Sequence, residues 1–128
     1  MKNRNFLGSF NNAMSGIIYG IRNERNIRIH IIAAIFVLVL SLFFDLTRSE
    51  ILILCLTIGF VIVCELFNTA IEVMVDLMVQ IYHPKVKIIK DVSAGAVMVS
   101  AFVSLVVGYI IFFDKVIVQL SYWINRIL

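Results

Sequence analysis

Hydrophobic residues in the 128-residue chain follow a helical spacing near the N-terminus. The large apolar residues recur every three or four positions, at Phe6, Leu7, Phe10, Met14, Ile17, Ile18 and Ile21. Polar residues fill the positions between them, which is the pattern of an amphipathic helix lying at a membrane surface. We therefore predict an interfacial helix over residues 6–28.

Three longer apolar stretches follow, and they predict membrane-spanning helices over residues 29–44, 51–82 and 91–113. The first stretch is short for a span, and only the third passes the usual length of about 18 uncharged residues. Neither a proline nor a pair of glycines interrupts the second stretch, which we interpret as one long helix. Residues 115–128 include Tyr122 and Trp123, aromatic residues that favour the headgroup layer, and predict an interfacial tail.

Composition supports a membrane protein with one all-α domain over residues 1–128. Apolar residues make up 62% of the chain and charged residues 15%, whereas soluble domains contain roughly 45–50% and 25%. A single small domain cannot bury that much apolar surface away from water. The net charge of +3 comes without a run of Lys and Arg, so nucleic acid is not an expected partner.

The distribution of positive charge predicts the orientation of the spans. Of the eleven Lys and Arg residues, eight lie before the first span or in the connection between the second and third spans. Cytoplasmic segments carry such an excess. We therefore expect the N-terminus and that connection to lie in the cytoplasm, with the protein in a membrane.

Four polar residues interrupt the second predicted span and share one face of it. Glu65, Asn68, Glu72 and Asp76 fall within about 80° of arc at 100° per residue. A carboxylate that faces lipid costs about 2.5–3.5 kcal/mol, so such residues suggest a functional site. A solvated face and a structural polar seam between helices remain alternatives. The other sides of this segment stay apolar, which favours packing with the polar stripe facing a crevice.

The residue types in the stripe suit phosphoryl transfer. Carboxylates hold a hard divalent cation together with water and phosphate oxygens, and a carboxylate in a low-dielectric setting acts as a general base. Glu24 precedes the first span, and Lys90 and Asp91 begin the third, all on the side predicted to be cytoplasmic. A lysine there neutralises phosphate charge. The chain contains neither a P-loop motif nor the glycine-rich loop of protein kinases.

The motifs in the chain resemble those of the prokaryotic integral-membrane lipid kinases, the diacylglycerol kinase and undecaprenol kinase family. Residues 65–76, ELFNTAIEVMVD, match the signature E-x-x-N-[ST]-A-I-E-x-x-x-D. Residues 90–97, KDVSAGAV, match a second signature, a Lys-Asp pair followed by small residues. Asn23-Glu24 and Tyr82-His83 match two shorter elements, and the resemblance covers residues 6–113.

This resemblance implies a role for each matched residue. Glu65 would be the general base that takes the proton from a lipid hydroxyl, and Asn68 would orient the reacting groups beside it. Glu24 and Glu72 would bind the Mg²⁺ that bridges the ATP phosphates. Ala94 would contact the lipid together with Glu65, and Asp76 would act indirectly or structurally. The nucleotide would also be bound by Tyr82, His83, Lys90 and Asp91.

The resemblance further implies a homotrimer whose active sites are shared between neighbouring protomers. Undecaprenol is the favoured lipid alcohol, because residues 94–97 and the Asn-rich N-terminal helix are similar to the undecaprenol kinase branch. A diacylglycerol kinase that makes phosphatidic acid is the alternative. A non-catalytic membrane assembly protein is the alternative from another class, and it would tolerate Glu65→Gln and Lys90→Ala.

Other basic residues surround the start of the first span. His30 lies one helical turn inside it, and we interpret it as a histidine that reaches the membrane surface or is hydrogen-bonded. Arg22, Arg25 and Arg28 recur every three residues and suit anchoring to anionic lipid. Contact of Arg28 with a phosphate is the alternative.

Overall fold

The computed structural model describes residues 6–78 and 83–127, and these residues form four helices and no strand. They are α1 (Phe6–Asn23), α2 (Arg25–Ser41), α3 (Arg48–Met78) and α4 (Pro84–Ile127). The most extensive packing is between α3 and α4, while α2 packs on α3 and α1 contacts both α2 and α3. The predicted all-α architecture is thereby confirmed.

The helices α3 and α4 are long and apolar enough to cross a membrane. Only 17% of the most apolar window of each is buried within the chain, so most of that surface faces outward. With 31 residues in α3 and 44 in α4, their lengths of about 46 and 66 Å exceed the roughly 30 Å hydrocarbon core. The helix α2 has 17 residues, and a third span there stays a prediction.

The predicted interfacial helix over residues 6–28 is divided at Glu24, which corrects that boundary. The backbone of Glu24 is extended, with φ −103° and ψ 126°. Nη1 of Arg28 donates to the carbonyl oxygens of Ile21 at 3.0 Å and Arg22 at 2.8 Å. These are carbonyl groups that the end of a helix leaves without partners. Arg28 therefore stabilises the turn between α1 and α2.

Close approach between α1 and α3 depends on a glycine. Gly20 is buried, and a Cβ atom added there would lie 3.2 Å from Cδ2 of Leu66. That distance is shorter than ordinary van der Waals contact, so a larger side chain would require the Leu66 side chain to shift. The missing side chain keeps α1 against the part of α3 that carries the polar stripe.

The boundaries predicted for the last helix are also corrected. α4 begins at Pro84 rather than residue 91, because proline suits the first helical position. Nδ1 of His83 accepts a hydrogen bond from the backbone N–H of Lys85 at 3.2 Å and caps the helix. α4 then continues past residue 113, because residues 114–127 contain no proline or glycine. Residues 115–127 are thus part of α4 rather than a separate tail, and their interfacial location stays a prediction.

An apolar cluster joins α2, α3 and α4 at the end of the bundle away from the polar stripe. Leu54, Ile111 and Phe112 are buried together there. The rings of Phe44 and Phe112 meet edge to face with their centroids 5.7 Å apart, a favoured aromatic arrangement. This cluster fixes the connection between α2 and α3 against the later part of α4.

A polar clasp at the same end ties the start of α3 to α4. The backbone N–H of Thr47 donates to Oε2 of Glu50 at 2.7 Å, and the Glu50 N–H donates back to Oγ1 of Thr47 at 3.3 Å. This reciprocal pair is a capping box. Nζ of Lys115 lies 3.2 Å from Oε1 of Glu50 and donates to the carbonyl oxygen of Asp45 at 3.0 Å. Lys115 thus holds α4 against the α2–α3 connection.

Candidate active site

The polar stripe of α3 passes from buried to exposed along the helix. Glu65 is 1% exposed and Asn68 is 7% exposed. Glu72, one turn further along, is half-buried, and Asp76 is exposed. A solvated face therefore describes Asp76 but not Glu65 or Asn68, whose side chains lie inside the bundle.

Asn68 is hydrogen-bonded at both ends of its amide, within α3 through one end and to α4 through the other. Its Nδ2 donates to Oε1 of Glu72 at 3.0 Å, and its Oδ1 accepts from Oγ of Ser93 at 2.7 Å. Ser93 is 8% exposed. A buried amide with both groups satisfied is held in one orientation. Ser93 is absent from the predicted site, although it lies within the KDVSAGAV segment.

Glu65 carries its charge into the interior beside a histidine from α2. Nε2 of His30 lies 3.2 Å from Oε1 of Glu65. The approach does not have the geometry of a hydrogen bond, so within the described residues Oε1 is buried without a hydrogen-bond partner. Burying a carboxylate costs free energy unless it is paired and hydrogen-bonded. This unsatisfied oxygen therefore indicates a position suited to a hydrogen-bond donor.

A cavity of about 260 Å³ lies beside these side chains, between α2, α3 and α4. It is lined by Asn26, His30, Glu65, Asn68, Glu72, Ala94, Val97, Met98 and Ala101. A second, mostly apolar cavity of about 300 Å³ is also lined by His30, among residues that include Ala33, Val37, Leu54, Val61 and Tyr109. His30 thus lines both the polar and the apolar cavity.

Four of the predicted site residues line the polar cavity, namely Glu65, Asn68, Glu72 and Ala94. Glu24 is half-buried at the start of α2 and does not line it. His83 caps α4 through its Nδ1 and is exposed. The predicted nucleotide contact Tyr82 lies outside the described residues.

The predicted Lys90 and Asp91 also lie outside the cavity lining. Lys90 forms an ion pair with Asp76 and joins the exposed end of the stripe to the start of α4. Asp91 is exposed and pairs with Lys87 one turn earlier, with 2.9 Å between Oδ2 and Nζ. The cavity is instead completed by Asn26 and His30, two polar residues of α2 that helical phase within α3 gives no means of finding.

The carboxylates of the site suit magnesium only if phosphate oxygens and water supply the other ligands. Among residues 6–78 and 83–127, no three His, Cys, Asp or Glu side chains come close enough to hold a metal ion. Mg²⁺ is usually bound by one or two carboxylates, with substrate phosphates and water as the other ligands. Glu24 forms no capping hydrogen bond with its side chain, and one oxygen of Glu72 accepts from Asn68. Binding of Mg²⁺ by Glu24 and Glu72 therefore stays a prediction.

Ser93→Ala tests the link between Asn68 and α4. Removing the hydroxyl leaves the buried Oδ1 of Asn68 without its donor, and we expect a loss of about 1–3 kcal/mol in unfolding free energy. The matched control is Ser100→Ala, also buried in α4, whose hydroxyl donates to the Val97 carbonyl oxygen of its own helix. Unfolding in detergent measures both variants. Equal stability of the two would contradict a cross-helix role for Ser93.

Known proteins resemble the chain along the segment that contains this cavity. The family model for prokaryotic diacylglycerol kinase matches residues 11–112. The chain is 43% identical over 110 residues to the undecaprenol kinase of Bacillus subtilis (strain 168), covering 86% of this chain and 89% of that protein. It is 40% identical over 105 residues to the diacylglycerol kinase of Synechocystis sp., covering 81% of this chain and 60% of that protein.

Proposed function

Because the chain belongs to the prokaryotic diacylglycerol kinase family, it is a phosphotransferase with an alcohol acceptor, and we propose that it transfers the γ-phosphate of ATP to undecaprenol. The observation that carries this proposal is the buried carboxylate of Glu65, which lines a cavity with an unsatisfied oxygen. Family membership argues against a non-catalytic assembly role.

In the proposed reaction, Glu65 takes the proton from the lipid hydroxyl. The lipid oxygen then forms a bond to the γ-phosphorus as the bond to the ADP oxygen breaks, and ADP leaves. Asn68, which Ser93 and Glu72 hold in one orientation, orients the reacting groups. Positioning and charge stabilisation of this kind account for most of the catalysis of phosphoryl transfer.

Residues at the exposed end of the stripe would bind the nucleotide. Magnesium held by Glu24 and Glu72 would neutralise charge on the phosphates. Lys90 forms an ion pair with Asp76 in the structure, and a phosphate would replace one anionic partner with another. We also propose contacts from Tyr82, His83 and Asp91.

We further propose that the protein acts as a homotrimer with its site at the cytoplasmic face of the bacterial cell membrane. Large apolar side chains remain exposed on the chain, including Phe36, Phe67 and Phe102 at 65–66%. Exposed apolar area on this scale is typical of surfaces that meet lipid or other subunits. Positively charged segments near the site support the cytoplasmic assignment.

Two observations favour undecaprenol over diacylglycerol as the acceptor. The chain covers 89% of the Bacillus subtilis undecaprenol kinase but 60% of the Synechocystis diacylglycerol kinase. The cavity next to His30 is lined almost wholly by apolar side chains, which suits a hydrocarbon chain without ester groups. The family description and the second relative support diacylglycerol as the other candidate.

Transfer of labelled γ-phosphate from ATP in mixed micelles tests this choice. The purified protein would receive undecaprenol and diacylglycerol in parallel, with Mg²⁺ present. We expect faster labelling of undecaprenol at equal mole fractions. Faster labelling of diacylglycerol would indicate a role in phospholipid recycling. Labelling of neither lipid by a folded protein would overturn the proposed reaction.

A further inference from the structure

His30 is the basic residue that approaches the buried carboxylate of Glu65 within the described part of the chain. Its Nε2 is 3.2 Å from Oε1 of Glu65, and the side chains are 24% and 2% exposed. The nearest lysine along the stripe, Lys90, is paired with Asp76. The two partners come from different helices, α2 and α3, so their contact depends on the packing of the bundle.

We propose that His30 is a positioning residue, which orients the Glu65 carboxylate for proton abstraction through its Nε2–H. This inference rests on the proposed lipid kinase function. A ring N–H that holds Oε1 leaves the other carboxylate oxygen for the substrate hydroxyl. Catalytic hydrogen bonds are often long or poorly aligned before substrate binds and tighten in the complex. The misaligned 3.2 Å contact between His30 and Glu65 has that character.

The location of His30 also suits this role because it lines two different cavities. Glu65, Asn68 and Glu72 line the polar cavity with it, whereas the other cavity is mostly apolar. An imidazole has an apolar body and polar nitrogens, so it suits such a boundary. We infer that the lipid hydroxyl meets Glu65 beside the His30 ring, where the apolar and polar spaces adjoin.

Two substitutions separate positioning from packing. His30→Leu keeps a bulky side chain but removes the N–H group, and we expect kcat to fall about tenfold with the KM values for ATP and lipid little changed. His30→Gln places an amide N–H near the position of Nε2 and should restore most of kcat. Ser41→Ala is the matched control, because Ser41 also belongs to α2 but donates to the Leu38 carbonyl oxygen of its own helix and lines neither cavity.

A double-mutant cycle with Glu65→Gln gives the decisive readout. If His30 acts through Glu65, His30→Leu should lower the residual kcat no further in the Glu65→Gln background, because residues acting as one unit are not additive. An equal loss in both backgrounds, or an unchanged kcat in His30→Leu, would overturn the proposal. A wild-type protein that transfers no phosphate to either lipid would instead overturn the proposed function on which it rests.

Discussion

Glu65→Gln is expected to lower the kcat for lipid phosphorylation by about 10²- to 10⁴-fold, the usual contribution of a general base. Glutamine has nearly the same size as glutamate but cannot accept a proton at the working pH. The fold should be retained, because the hydrogen bond from Thr69 goes to the backbone carbonyl oxygen of residue 65, at 3.0 Å. The measurement is initial rate at saturating ATP, Mg²⁺ and lipid, with unfolding in detergent as the check on structure.

The matched control for this loss is Glu50→Gln. Glu50 is the carboxylate of the clasp at the opposite end of the bundle, and glutamine also completes a capping box. We expect near wild-type kcat for this control. Unchanged turnover in Glu65→Gln would remove Glu65 from the mechanism, and an equal loss in both variants would mean that any carboxylate change disturbs the bundle.

Glu72→Gln is expected to act on the requirement for magnesium. We expect the Mg²⁺ concentration for half-maximal rate to rise about 10- to 100-fold, the scale of the loss when the surroundings of a bound metal are altered. Excess Mg²⁺ should restore much of kcat. Glutamine keeps a carbonyl oxygen that accepts from Nδ2 of Asn68, so the link between Asn68 and Glu72 is preserved.

A parallel titration of Glu24→Gln tests whether the two carboxylates share one ion. If they do, Glu24→Gln should shift the magnesium requirement in the same direction and by a similar factor. A loss of kcat in Glu72→Gln that excess Mg²⁺ does not restore would argue against metal binding by Glu72. It would assign Glu72 to the orientation of Asn68, whose Nδ2 it accepts at 3.0 Å.

Helical phase was sufficient to predict that Glu65, Asn68 and Glu72 share a cavity, because all three lie on one continuous helix. The position of a residue around one helix does not determine how deeply its side chain is buried. A solvated face therefore remained an alternative from the sequence, although Glu65 and Asn68 are buried and only Asp76 is exposed. The burial of each residue in the polar stripe depends on how the neighbouring helices pack against α3.

Contacts between helices were the part that periodicity could not predict. The partners of Glu65 and Asn68 are His30 from α2 and Ser93 from α4. The break at Glu24 was missed for a related reason. It is stabilised by Arg28, whose guanidinium donates to carbonyl oxygens six and seven residues earlier. Helical periodicity does not predict such contacts.

The long helix α4 is held to α3 at two widely separated points, and this restricts how the protein can move. Ser93 binds Asn68 near the site, and Lys115 binds Glu50 at the far end. The 22 residues between these serine and lysine positions span about 33 Å of helix. A relative tilt of 10° between α3 and α4 would displace one end by about 6 Å over that length, which would break one of the two contacts.

The pair α3–α4 should therefore move as a single rigid body, and widening of the cavity must come from the other two helices. α1 and α2 are short, join at the extended residue Glu24, and make fewer contacts with α3 than α4 does. α2 also carries Asn26 and His30, the cavity residues that do not belong to the rigid pair. We therefore expect the lipid to enter through movement of α1 and α2 relative to the α3–α4 pair.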